Sequence, residues 1–323
     1  MSQHPAPSGI TFRALRDASD YHAMRAVREA CIVEDRVDVH SAEERLSDVA
    51  ALATTWPLTG DHTRTLLLAE HDDVVVAYHY VRWWTHSAGT TYAHRGYVLP
   101  AWRGQGIGTT MLRWAEKTLQ AEAARHDPAL PVVFRAYLSE HEHAAHALLL
   151  AEGYVHTSSL LEFVHDLRDI PVVKLPEGFE LRPAVAREYR AIWEANEAIF
   201  RDEPQRSPPD EAAFDAFVHD SGADPSLWQV IWVGDAIAGL AICERAEDNV
   251  GHIVQLGVRE SWRRRSLGRA LVMLALNTLQ RRECSQARVC TDADGLFGAG
   301  RLYETVGFRR IKEFRRYSKQ LLR

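Results

Sequence analysis

Hydrophobic positions along this chain follow a series of spacings that is written twice. Segments 65–70, 74–84 and 91–98 are rich in Val, Ile, Tyr and Trp and predict strands, and segments 228–233, 236–243 and 251–258 repeat them. Each series then changes to helical spacing. Ile107, Met111, Ala115 and Leu119 keep one apolar face in the first copy, and Leu267, Leu271, Leu274 and Leu279 do so in the second. Short strands open the halves at 10–14 and 179–183, ahead of helical stretches at 21–31 and 42–54 and at 187–200 and 209–219. Each half closes with a strand (131–138, 287–291), a late helix, a Gly-aromatic pair (Gly153-Tyr154, Gly307-Phe308) and terminal strand structure. Ser139 and Glu142 have capping-box spacing before the first late helix. Tyr78, Tyr80 and Trp84 share one strand face, the pattern of a sheet packed on helices. The predicted order is β-α-α-β-β-β-α-β-α-β-β in each half, an α/β class with a mixed central sheet flanked by helices.

A length of 323 residues suits two domains, each able to bury its own core. Pro171, Pro176 and Gly178 mark the boundary between patterned segments. The expected organisation is a flexible polar tail at 1–9, a domain at 10–167, a linker at 168–177 and a domain at 178–323. With 46% hydrophobic and 25% charged residues the composition is that of a soluble globular protein. The net charge of −6 speaks against nucleic-acid binding. Cys31, Cys243, Cys284 and Cys290 form no C-x-x-C pair and read as reduced thiols of a cytoplasmic protein. Neither a signal peptide nor a bilayer-length apolar run is visible, so no membrane role is expected.

Between the last early strand and the long helix of each half stands a short polar turn with a Trp. The first reads Val98-Leu99-Pro100-Ala101-Trp102-Arg103-Gly104-Gln105-Gly106-Ile107-Gly108, the second Val258-Arg259-Glu260-Ser261-Trp262-Arg263-Arg264-Arg265-Ser266-Leu267-Gly268. The offset is 263 − 103 = 160 residues. A loop that opens directly into a helix presents unpaired backbone N–H groups where the helix dipole favours an anion. A pyrophosphate is the ligand that suits it.

Val-x4-Arg/Gln-x-x-Gly-x-Gly at the head of a helix, followed some way on by Leu-Tyr-x-x-x-Gly-Phe, resembles the GCN5-related N-acetyltransferase (GNAT) superfamily. The resemblance runs once through each half, like the tandem, mycothiol synthase-like members of that superfamily. It implies acetyl-CoA as cosubstrate, no metal, and a small-molecule amine as acceptor. The strands before the loops, Gly96, Tyr97 and Val98, and Leu256, Gly257 and Val258, would lend backbone groups to the pantetheine arm and thioester. The pyrophosphate would lie on Arg103, Gly104, Gln105, Gly106, Ile107 and Gly108 in one half, and on Arg263, Arg264, Arg265, Ser266, Leu267 and Gly268 in the other.

Acetyl transfer needs a proton removed from the ammonium, a polarised carbonyl and a protonated leaving thiolate. Aligning Gly153 with Gly307 puts Leu149 where the second half has Tyr303, and leucine cannot donate a proton. The resemblance therefore makes Tyr303 the acid and the C-terminal half the catalyst, with the first half degenerate or cofactor-binding. His252 lies six residues before Val258 on the same strand face, a position where some arylalkylamine acetyltransferases of the superfamily carry a histidine, and is the candidate base. Glu244, Glu197 and Asp202 are rivals. In the first half Tyr92, His94 and Tyr137 are the corresponding groups. His141, His143 and His146 read as a solvated helix start, since no carboxylate or Cys pattern completes a metal site. Three alternatives stay open: the N-terminal half as catalyst, a non-catalytic acyl-CoA-binding module, and acetylation of protein lysines or N-termini. An internal repeat supplies within one chain what a dimer supplies with two, so a monomer is expected.

Overall fold

A computed structural model of the chain describes residues 9–58, 64–86, 89–126, 132–201, 209–219, 223–246, 248–295 and 298–321. Most of the polar tail, and Asp202, lie outside these residues. The chain divides into two compact units, Met1–Ser158 with Phe314–Arg323, and Ser159–Glu313. No helix among the described residues is long and apolar enough to cross a membrane.

The first unit carries strand β1 (Thr11–Arg13), helices α1 (Ser19–Ala30) and α2 (Val49–Thr55), strands β2 (Leu66–His71), β3 (Val74–His86) and β4 (Gly89–Val98), helix α3 (Ile107–Ala123), strand β5 (Val133–Ser139) and helix α4 (His143–Ala151). After α4 comes β6 (Val155–His165), which starts in the first unit and ends in the second. The second unit continues with β7 (Glu180–Arg182), α5 (Tyr189–Ile199), α6 (Glu211–His219), β8 (Gln229–Val233), β9 (Ala236–Arg245), β10 (Val250–Val258), α7 (Leu267–Arg281), β11 (Gln286–Asp292) and α8 (Ala299–Thr305). The last strand, β12 (Arg309–Gln320), returns to the first unit. The expected order holds except at its end: one long strand, β6 or β12, follows each late helix where two were expected.

Hydrogen bonds do not follow chain order in these closing strands. In unit 1 the sheet runs β1-β2-β3-β4-β5-β12, with Leu138 opposite Arg315 and Val133 opposite Gln320. In unit 2 it runs β7-β8-β9-β10-β11-β6, with Ala287 opposite His165 and Asp292 opposite Leu160. Each unit is thus closed by the strand that follows the late helix of the other repeat. Phe314 and Tyr317, 1% and 4% exposed, are core residues of unit 1, as Phe163, 1% exposed, is of unit 2.

Packing explains which expected elements moved. Helix α2 begins only at Val49, because the Asp48 side chain accepts from Ala51 N at 2.7 Å and caps it there. Glu142 accepts from Ser139 N at 3.1 Å, which makes one half of the expected capping box. His146 is no solvated residue: buried, it lies 2.9 Å from Tyr317 Oη through Nδ1 and 2.9 Å from the Ser139 carbonyl through Nε2.

The two motif loops share one backbone shape. Gly104 and Gly106 have φ of 74° and 84°, and Arg264 and Ser266 have 63° and 61°. Only glycine adopts that conformation without cost, about 1–2 kcal/mol for other residues. Ser266→Gly is therefore expected to stabilise the chain by about 1 kcal/mol, read as a higher urea midpoint. An unchanged or lower midpoint would mean that the serine hydroxyl offsets the strain.

Candidate active site

Strands β4 and β5 pair in parallel at Tyr92–Phe134 and Ala93–Arg135 and then part. Beyond that point the edge of β4 faces open space instead of a neighbouring strand. The space is a cavity of about 880 Å³ in unit 1, lined by Gly96, Tyr97 and Val98 on one side and Ala136 and Leu138 on the other. At its mouth stand Arg103, Gly104, Gln105, Gly106 and Gly108, with Leu148 and Leu149 of α4 completing the wall. The strand edge and the anion-binding loop expected from sequence therefore belong to one continuous site.

The loop can offer a ligand its backbone more readily than its side chains. The Ile107 side chain is 1% exposed and anchors α3 in the core, so only its amide can face a ligand. Arg103 is committed elsewhere: its Nη1 and Nη2 each donate to Asp35 at 2.7 Å, and Nε donates to the Val98 carbonyl at 3.1 Å. The hydrogen bonds to Asp35 raise its pKa against the effect of burial. This bidentate pair struts the loop against the turn after α1. Gly108 keeps α3 close to α4, since a Cβ there would lie 3.1 Å from Leu148 Cδ2.

Charged and aromatic groups line the inner end. Arg95 Nη2 donates to Glu142 Oε1 at 2.5 Å and Arg95 Nε to Tyr97 Oη at 3.0 Å. Burial works against the Arg95 charge, but Glu142 and Tyr97 more than restore it and the pKa stands well above the usual value. On the face toward α3, His79 Nε2 lies 3.1 Å from His94 Nδ1, and His94 Nε2 lies 2.9 Å from Tyr154 Oη. Both imidazoles are buried and line the cavity. Desolvation pushes both pKa values down, that of His94 to about 3. Both rings are neutral at pH 7.

In unit 2, β10 and β11 pair from Val250–Gln286 to Ile253–Val289. Gly257 is covered by the end of α5: a Cβ there would lie 2.3 Å from Ile199 Cγ2 and 3.0 Å from Phe200 Cζ. Leu256 and Val258 pack at the edge of the unit 2 core, and the Leu267 side chain is buried in it. Arg263 Nε donates to the Val258 carbonyl at 3.1 Å, the same strut as in unit 1, while Arg264 and Arg265 are exposed. Gly268 approaches α8, with Leu302 Cδ2 3.5 Å from a Cβ position. Tyr303, 4% exposed, packs on Phe163 and Phe308 with ring centroids at 6.0 and 5.5 Å, and burial raises its pKa. His252 is buried and pairs in register with Glu244 on one side and Arg288 on the other. Tyr303 belongs to the core under α7, whereas His252 and Glu244 alternate with the core residues Ile253 and Cys243 and so point to the opposite sheet face.

His79, Glu142, Asp35 and Tyr154 were not among the functional candidates read from sequence. Glu142 and Tyr154 carried local signals of structure only, the capping-box spacing and the Gly-aromatic pair. His79, Tyr154 and Asp35 meet the site across 15 to 68 residues. Tyr92 Oη lies 3.0 Å from His126 Nδ1, and Tyr137 Oη donates to Glu43 at 2.9 Å, so neither shares the hydrogen bonds of His94. No group of three or more metal-ligating side chains occurs among the described residues.

Two stretches of the chain, 30–149 and 185–308, match the acetyltransferase (GNAT) family. The chain is 27% identical over 311 residues to a mycothiol acetyltransferase of Kineococcus radiotolerans, covering 95% of each. It is 26% identical over 223 residues to the Streptomyces coelicolor mycothiol acetyltransferase; that match takes in 65% of this chain and 66% of the relative, just under two thirds of its length. Among solved structures, a GCN5-related N-acetyltransferase from Sphaerobacter thermophilus superposes with a TM-score of 0.80 at 24% identity over 97% of this chain and 96% of that one. A tandem GNAT protein from the clavulanic acid biosynthesis pathway gives 0.65 at 12% identity over 96% and 98%. These structural likenesses carry the fold, a tandem arrangement of two such domains.

Proposed function

The chain belongs to the GNAT acetyltransferase family, and from that premise we propose that unit 1 transfers acetyl from acetyl-CoA to the primary amine of a small molecule. The family implies an acyl-CoA cosubstrate. The observation that carries the assignment to unit 1 is the cavity between the parted strands β4 and β5, which joins the anion-binding loop to a polar inner end. Pyrophosphate would lie on the amides from Gly104 to Gly108, and the pantetheine arm along Gly96 to Val98. The amine would approach between Arg95, Tyr97 and Glu142 and attack the thioester carbon directly. The C–N bond forms, the C–S bond breaks, and the thiolate takes a proton. Leu149 supplies none, so that proton comes from the amine nitrogen of the tetrahedral intermediate or from water. The mycothiol acetyltransferases among its relatives favour a small-molecule acceptor over a protein.

A second reading keeps transfer in unit 2, with Tyr303 as acid and His252 or Glu244 as base. It is favoured by the repeated loop, where Arg264, Arg265 and Ser266 are exposed at the start of α7. Calorimetry with acetyl-CoA separates the two. Gly106→Glu places a carboxylate against the unit 1 loop and is expected to weaken binding about 100-fold, with Ser266→Glu close to wild type. The reverse pattern would move the site to unit 2 and make Tyr303 and His252 the residues to replace. Tight binding without turnover of any amine would leave an acyl-CoA-binding module.

A further inference from the structure

Building on acyl transfer in unit 1, we propose that a buried file of side chains, His79, His94, Tyr154 and Glu116, takes the proton of the acceptor amine and holds it at Glu116 while the amine attacks. The file begins beside the strand edge assigned to the thioester: a Cβ on Gly96 would lie only 2.3 Å from His79 Nδ1. It continues through His79 Nε2 to His94 Nδ1 at 3.1 Å and through His94 Nε2 to Tyr154 Oη at 2.9 Å. The charge of Glu116 acts on the Tyr154 hydroxyl in turn, and the Glu116 carboxylate is paired with Lys319 at 2.8 Å and reaches the edge of α3 with 17% of its side chain exposed.

The far end sets the direction of every bond. A carboxylate attracts a donor and never supplies one, so the Glu116 charge turns the Tyr154 O–H toward itself, and the Tyr154 oxygen then accepts from His94 Nε2–H. A neutral His94 then presents Nδ1 as an acceptor to His79 Nε2–H, and a neutral His79 is left with its lone pair on Nδ1. Three donors thus point away from the cavity, and a base points into it.

The second repeat shows that the fold does not need this file. Ala241 pairs with Leu256 as His79 pairs with Gly96. Ile253 lies opposite Cys243 as His94 lies opposite Val81, and Phe308 and Leu276 stand where the first repeat has Tyr154 and Glu116. Apolar residues complete that core, and buried polar groups confer no stability that such packing lacks. Four polar residues held in one repeat alone, connected to each other and to the cavity, suit a role in the reaction.

When the amine gives its proton to His79 Nδ1, the Nε2 proton passes to His94, the His94 Nε2 proton to Tyr154 and the hydroxyl proton to Glu116. One proton enters and one arrives, and the freed lone pair attacks the carbonyl carbon. No ring needs to hold a charge, which matters because burial disfavours both imidazolium ions. After product release the proton on Glu116 returns along the file as His79 Nδ1 gives its own proton to water, which restores the starting polarity.

The charged and titratable groups acting on the two rings are Arg95 on β4 and Lys319 on β12, with Tyr154 after α4 and Glu116 on α3 at the end of the file. Each ring also faces the other. NMR of the full chain with 15N-labelled histidine tests the polarity without an acceptor. Both rings are expected neutral with the proton on Nε2 between pH 6 and 8, and a proton on Nδ1 of His79 would overturn the proposal. Tyr154→Phe, the residue the other repeat already carries, tests the transfer with the best acceptor from a panel of primary amines. Its kcat/KM should fall about 100-fold below the pKa of that amine and return to wild type above it, with acetyl-CoA affinity unchanged. A loss equal at every pH would reduce Tyr154 to a packing role and sink the relay. If the wild-type chain turns over no amine, the acyl-transfer reading fails and the relay with it.

Discussion

Ending the chain at Glu313 is expected to unfold the N-terminal unit, although every residue removed lies at the far end of the sequence. The lost segment is the strand that closes the unit 1 sheet, in register with β5 from Phe314–Ser139 to Gln320–Val133. It takes with it the fully buried Phe314 and Tyr317, the hydrogen bond from Tyr317 to His146 and the ion pair of Lys319 with Glu116. Deleting one buried aromatic side chain costs about 3–5 kcal/mol, so two approach the 5–15 kcal/mol that stabilises a typical domain. The exposed edge of β5 would also invite aggregation. Unit 2 keeps its own core, including β6. Urea unfolding of the truncated chain should show only the transition of unit 2, and acetyl-CoA binding should vanish. Two intact transitions would mean that the unit 1 core holds without its last strand.

The smallest possible side chain at Gly96 should be almost as damaging to turnover. A Cβ there would overlap His79 Nδ1 at 2.3 Å and two ring carbons at 2.9 Å. The ring cannot retreat, because it stacks on His94 at 5.2 Å and meets the edge of Trp114 at 6.3 Å. Gly96→Ala must therefore turn His79 out of its hydrogen bond with His94 and narrow the cavity at the strand edge. A fall of about 10²- to 10³-fold in acetyl-CoA turnover is expected, with the unfolding midpoint lowered by overpacking. Gly96→Ala combined with His79→Ala should recover the stability but not the turnover. Wild-type turnover in the single variant would exclude His79 from the reaction.

Much of the fold was legible because it rests on local rules. The repeat, the strand and helix series, and the loop that opens into a helix are written in hydrophobic spacing and glycine placement. The structure adds the reason for those glycines: positive φ at Gly104 and Gly106, and close approach of helices at Gly108. Ser266 sits in the same left-handed conformation without being glycine, so spacing carried the shape of the second loop where composition did not. The two halves differ in what their sequence displays. Tyr303 makes the second repeat the more conspicuous, because a hydroxyl at that point has an obvious use. The polar file of the first repeat is spread over residues 79, 94, 116 and 154, with no spacing that marks it.

The sequence by itself determined that the chain is a tandem repeat, which elements each repeat forms, and that each carries a loop opening directly into its long helix. Side-chain period and turn chemistry act over a few residues and leave their mark in the order of residues. Only the tertiary structure decided that β12 closes unit 1 and β6 closes unit 2, because backbone hydrogen bonds are the same for every strand. Where β4 and β5 part, and which histidines meet beneath that opening, also depend on distances across the sheet. Those distances are set by how a whole core packs, and no window of sequence contains them.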